Sequence, residues 1–144
     1  MATLLGLDLG EKRVGVAVSD ESGSMALPLK ALFFQGRKQL LSEILKLVEE
    51  YRAVQIVVGL PKTFKDELGP AAKKVKEHVK WFEDQMPNIP WIFWDERLTT
   101  QEVERILIDA DVSRAKRKEV RDQLAAQRIL QSYMDFERSK RNMT

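Results

Sequence analysis

Leu5, Leu7 and Leu9 alternate with Gly6, Asp8 and Gly10, and shortly afterwards Val14, Val16 and Val18 alternate with Arg13, Gly15 and Ala17. Strict alternation sends successive side chains to opposite faces of a strand. Two such runs so close together pair through a tight turn, so residues 4–20 are expected to form an antiparallel hairpin. A third strand is expected over residues 25–34, after the turn-forming Glu21-Ser22-Gly23-Ser24. Pro28 within it marks an edge position or an irregularity.

The period then changes. Over residues 38–51, Leu40, Ile44, Leu47, Val48 and Tyr51 share one helical stripe with lysines and glutamates opposite, the pattern of a helix covering a sheet. Residues 55–59 form a short β-branched run that suits a buried parallel strand, followed by a polar loop over 61–69. Pro70 opens a helix whose buried stripe is Ala72, Val75, Val79 and Phe82. Residues 91–95 form a second crossover strand, and Thr99 and Glu102 have the spacing of a capping box for a helix carrying Val103, Ile106, Leu107 and Ala110. A break at 111–113 precedes a last helix from about 116 to 138, and residues 139–144 read as a basic tail. The expected fold is α/β in a single domain spanning residues 1–144, with a mixed five-stranded sheet. A three-strand antiparallel meander and two parallel crossover strands make up that sheet, with helices on both faces.

Composition narrows the chemistry. There are no cysteines, which excludes disulfides and thiolate metal sites, and the single His78 argues against a zinc site or a histidine-based triad. Any metal must therefore be held through oxygen. No apolar run approaches bilayer length, and Met1 to Gly10 lacks a secretory pattern, so no membrane association and a cytoplasmic location are expected. The net charge of +2 says little about partners, but Arg114, Lys116, Arg117, Lys118 and Arg121 stand together with one acid, Glu119, among them. A solvated helix face is the plain reading of that cluster.

Three acids stand where acids are disfavoured. Asp8 lies in mid-strand between same-face glycines at 6 and 10, which reads as a floor for phosphate and metal; the ordinary alternative is a solvated edge strand. Glu96 follows the last strand at its carboxyl end, where open α/β sheets bind ligands, although strand ends are often merely wet. Asp122 heads the helical stripe of Ala125, Ala126, Ile129 and Tyr133, so an acid occupies the sheet-facing side. Its ordinary reading is a salt bridge to Arg97, Lys118 or Arg121. Three carboxylates within about 4 Å would repel by roughly 4 kcal/mol per pair at an effective dielectric near 20, so such a cluster calls for cations. Magnesium or manganese, hard ions that take oxygen ligands, meet that need, and a pair of them suits phosphodiester hydrolysis.

Four blocks then carry a family likeness through essentially the whole chain. They are Gly6-Leu7-Asp8-Leu9-Gly10 with Arg13-Val14-Gly15-Val16-Ala17 and Ser19-Asp20; Val58-Gly59-Leu60-Pro61; Asp95-Glu96-Arg97-Leu98-Thr99-Thr100; and Asp122 through Ala125-Ala126 to Ile129-Leu130-Gln131-Ser132-Tyr133. In this order they resemble the YqgF/RuvX family of Holliday-junction-resolvase-like, pre-16S rRNA nuclease proteins. The resemblance implies a ribonuclease H-like fold and an acidic triad at Asp8, Glu96 and Asp122. It also implies a metal-dependent nuclease, with Mg²⁺ or Mn²⁺ in two sites, maturing the 5′ end of small-subunit ribosomal RNA. Resolution of branched DNA by a homodimer is the alternative. Where relatives carry Leu-Asn after the proline, this chain has Lys62-Thr63-Phe64-Lys65, which bears on substrate preference more than on chemistry.

Nucleic-acid contacts are expected from Lys12, Arg13, Lys62, Lys65, Arg97, Arg114, Lys116, Arg117, Lys118 and Arg121. Two rival readings remain at this point. Asp8, Gly10 and Gly15 also resemble the first phosphate loop of sugar kinases and chaperone ATPases, which need a second such domain. A catalytically idle RNA-binding module is the other.

Overall fold

The computed structural model describes residues 2–61, 69–95 and 113–142, and in the last stretch the side chains of Ser113, Lys116 and residues 124–140. The elements in chain order are β1 (Thr3–Leu9), β2 (Arg13–Ser19), β3 (Ala26–Phe33), α1 (Arg37–Tyr51), β4 (Ala53–Leu60), α2 (Pro70–Gln85), β5 (Trp91–Asp95) and α3 (Arg114–Asn142). They build one five-stranded sheet in the order β3-β2-β1-β4-β5. β1 pairs antiparallel with β2 and parallel with β4, β2 pairs antiparallel with β3, and β4 pairs parallel with β5. The meander and both crossovers read from the sequence are therefore present, and the strand carrying Asp8 is the central one.

Strand alternation divides the core into two layers. Leu5, Leu7, Val14, Val16, Val18, Ile56 and Val58 point to one face, where Leu40, Ile44 and Leu47 of α1 and Ala72, Val75, Val79 and Phe82 of α2 cover them. The stripe spacing of both helices explains this, since residues three and four apart share one side. On the other face Ala17, Ala26 and Val57 lie against Ala126, Ile129, Leu130, Tyr133 and Met134 of α3. Small residues on both sides let α3 lie close to the sheet, and Gly6 is the tightest point. A Cβ there would stand 2.7 Å from Leu130 Cβ and 3.1 Å from the Ala126 carbonyl oxygen.

The edges and joints follow local chemistry. Pro28 cannot donate to a ladder, and the register of β3 shifts beside it, between Val16 and Ala17 of β2. Gln131 and Gln127 of α3 then supply hydrogen bonds to that edge strand. The Ala26 N–H donates to Gln131 Oε1 at 2.8 Å, Gln131 Nε2 donates to the Ser24 carbonyl at 3.0 Å, and Gln127 Nε2 donates to the Ala26 carbonyl at 3.2 Å. β4 begins at Ala53 rather than at the expected residue 55, because Arg52 adopts a left-handed conformation with φ 53° and turns the chain in one step. The last helix also extends beyond its expected 116–138, from Arg114 to Asn142, across the start of the basic tail.

Candidate metal and nucleic-acid site

The alternation that buries Leu5 and Leu7 under α1 and α2 puts Asp8 on the α3 face of the central strand, where its side chain is half-buried. Asp8 pairs with Gly15 of β2, and Gly15 pairs in turn with Ala31 of β3. On the other side the β1–β4 ladder ends at Leu7 and Val58; Gly59 is the next residue of β4 and pairs with Trp94 of β5. One paired row thus joins Ala31, Gly15 and Asp8 across β3, β2 and β1, and a second joins Gly59 and Trp94 across β4 and β5 just past the end of the β1–β4 ladder. A glycine on the neighbouring strand leaves room beside the Asp8 carboxylate for a ligand.

The glycines along β1 itself have a different cause. The floor for phosphate and metal expected at Gly6 and Gly10 is not what these positions provide. Gly6 lies under Leu130 and the Ala126 carbonyl, and a Cβ on Gly10 would stand 2.6 Å from the Arg13 carbonyl oxygen. That carbonyl accepts the Gly10 N–H at 2.9 Å as the hairpin closes. Both residues admit another part of the chain's own backbone. Sequence reading missed Gly15 as a neighbour of Asp8 because strand register, not spacing, brings them together.

The helix above this face sets the direction in which Asp122 lies along the sheet. Tyr133, Met134 and Glu137 line a cavity of about 390 Å³ together with Ala2 and Leu4, while Ala126 and Leu130 lie over Gly6. Helix α3 therefore runs antiparallel to β1. Four helical residues advance about 6 Å, and two strand residues advance about 6.6 Å. By that spacing the turn of α3 before Ala126, which includes residue 122, projects along the sheet in the direction of Asp8. The expected stripe is also present: Ala125, Ala126, Ile129 and Tyr133 are all buried.

Glu96 lies outside the described residues, as do Lys62, Lys65 and Arg97, and the side chains of Arg114, Arg117, Lys118, Arg121 and Asp122 are likewise not described. In sequence, Glu96 follows Asp95, which is paired with Leu60 at the carboxyl end of β5. Lys12 is exposed in the turn after Asp8. Arg13 begins β2 with its guanidinium over the Phe33 ring, 5.3 Å from the centroid. Lys116 is exposed in the first turn of α3. On β5, Trp94 donates from Nε1 to Ser132 Oγ at 2.9 Å and packs edge-on against Tyr133. Helix α2 begins at Pro70, and Lys74 in its opening turns lies 3.9 Å from Glu11 of the β1–β2 hairpin, beside the same end of the sheet.

A mixed sheet in this order, with helices on both faces, is a ribonuclease H-like fold. The RuvC of T. thermophilus, solved in complex with a Holliday junction substrate, shares it with a TM-score of 0.59 at 14% identity, over 96% of this chain and 97% of that one. The chain belongs to the RuvX family, described as Holliday junction resolvase, whose model matches residues 2–136. It is 46% identical over 138 residues to a Thermoanaerobacter pseudethanolicus protein named as a candidate pre-16S rRNA nuclease, covering 95% of this chain and 99% of the relative. A Listeria monocytogenes protein of the same name is 47% identical over 134 residues, with 92% and 96% covered.

Proposed function

We propose that this protein is a divalent-metal-dependent nuclease that hydrolyses phosphodiester bonds, with the precursor of 16S ribosomal RNA as its substrate and 5′-end maturation as its task. The observation that carries the reading is the placement of Asp8. An acid stands on the α3 face of the central strand, opposite Gly15, and α3 runs antiparallel to that strand with residue 122 in the turn before Ala126. The family and the names of the relatives that match nearly end to end point to the same chemistry and supply the RNA. No helix among the described residues is long and apolar enough to cross a membrane, which fits an enzyme working on ribosomal precursors in the cytoplasm.

The donor set suits the metal. With no cysteine and one histidine, the available ligands are carboxylates, which magnesium and manganese prefer. Asp8, Glu96 and Asp122 are assigned to hold two such ions. When bound, they offset the charge on the phosphodiester and activate water. The protein's own part is to position. Gly15 keeps a side chain away from the phosphate's path, and the basic residues at the start of α3 hold the polyanion by charge. Lys12 in the turn after Asp8 and Arg13 at the start of β2 add cations, and Lys62, Lys65 and Arg97 are assigned to the same backbone.

Incubation of purified protein with precursor rRNA, unstructured RNA and a four-way DNA junction, with and without Mg²⁺ or Mn²⁺, tests this. Metal-dependent cutting of precursor rRNA that disappears in Asp8→Asn, with an unchanged circular dichroism spectrum, is expected. Equal cutting by the variant would overturn the assignment. The junction arm tests the second reading, which rests on the family's description as a resolvase, and cutting there by a homodimer would favour it.

A further inference from the structure

Phe33 ends the edge strand β3 and is 62% exposed, more than any other large apolar residue described. A lone exposed aromatic needs no explanation, but this one has company on the Asp8 face. Phe33 pairs with Arg13 and Ala31 pairs with Gly15, so alternation places Arg13, Ala31 and Phe33 on the same side of the sheet as Asp8. The Arg13 guanidinium sits over the Phe33 ring, 5.3 Å from its centroid. Arg13, Ala31, Leu32 and Phe33 line a hollow of about 150 Å³. Between this hollow and Asp8 the floor is Ala31 and Gly15, with no side chain larger than a methyl group.

Two strand spacings and two residues of rise separate Phe33 from Asp8, about 12 Å across the sheet. That is the span of roughly three or four stacked nucleotides at 3.4 Å each, and fewer if the strand is extended. We propose that Phe33, with Arg13 against its ring, is a stacking platform for an unpaired base of the single-stranded nucleic acid whose backbone crosses Asp8. Aromatic faces accept any base, and a guanidinium beside the ring pairs with the adjoining phosphate or stacks in its own right. A base inside a duplex has both faces covered by its neighbours, so the platform selects unpaired strand over duplex. This deepens the nuclease reading and rests on it for the path of the strand.

The test measures fluorescence anisotropy of a short labelled single-stranded RNA, and of a duplex of the same composition, in EDTA so that no cleavage contributes. Phe33→Ala and Phe33→Leu should each weaken single-strand binding by roughly ten-fold, the size seen when a stacking aromatic is removed. Phe33→Trp should retain it, with indole emission quenched on binding, and duplex affinity should move less than two-fold in every variant. Wild-type affinity in Phe33→Leu, or an equal loss for duplex, would overturn the proposal. So would a change in oligomeric mass on Phe33→Leu, which would make the ring a contact between copies. Because this readout needs no metal, its failure leaves the cleavage result standing, and the converse holds too.

Discussion

A Cβ on Gly6 would lie 2.7 Å from the Cβ of Leu130, so the central strand and the last helix meet with no room for a methyl group between them. Leu130 is fully buried, and the Ala126 carbonyl, 3.1 Å from the same point, is fixed by its helix. Gly6→Ala must therefore push α3 off the sheet. A loss of about 1–3 kcal/mol, the usual cost of overpacking a core, is expected in urea denaturation. Gly10→Ala should cost stability as well, because the obstacle there is the Arg13 carbonyl that closes the hairpin. A neutral Gly6→Ala would show that the helix can slide.

On the opposite side of the sheet, Arg37 Nε donates to His78 Nδ1 at 2.9 Å, with the Phe34 ring 5.2 Å from the imidazole. Burial first, then the Arg37 charge, hold the His78 pKa below its ordinary 6.5; Glu77 opposes them, and Lys74 adds a smaller push downward. The unfolded chain binds the proton more readily than the folded one. This contribution is thus complete above 6.5 and is lost as pH falls from there toward the depressed folded value. Urea midpoints measured on both sides of that pH should fall on acidification in the wild type and fall less in His78→Gln. An identical slope in the two proteins would show that His78 does not contribute.

The basic stretch at the start of α3 is assigned to the polyanion, and salt tests that assignment. Log affinity for single-stranded RNA should fall linearly with log salt, and Lys116→Gln should reduce the slope by about 0.7 if it neutralises one phosphate. Affinity indifferent to salt would remove this stretch from the interface.

Much of the fold is legible in the residues themselves. Alternation gives the hairpin, the change of period gives α1 and α2, and Pro28 marks the irregular edge where the register of β3 shifts. The α1–β4 joint is hidden, because an arginine makes the left-handed turn that glycine usually makes and Val54 after it is 48% exposed. Asp8 is legible as an acid in a strand. Its cross-strand partner, Gly15, is not, because pairing register depends on how the connections close. The glycines flanking it in sequence suggest a ligand floor, since a missing side chain serves an approaching helix as well as a phosphate. Phe33 is one of two successive phenylalanines, and only the register past Pro28 shows which one leaves the core.

A bound metal should also appear in stability. Mn²⁺ or Mg²⁺ at a hundred times its dissociation constant should stabilise the wild type by about 2.7 kcal/mol, and far less in Asp8→Asn. Thermal unfolding with and without EDTA measures this, and equal stabilisation of both proteins would place the ion elsewhere.

Calorimetric titration of Mn²⁺ into the wild type, Asp8→Asn, Glu96→Gln and Asp122→Asn reads the convergence of the three acids directly. Each substitution should lower manganese affinity by roughly ten-fold or more, as loss of a ligand does when all three address one pocket. Wild-type affinity in Asp122→Asn would mean that the helix above Asp8 brings no ligand to it, and the metal centre as assigned would not exist.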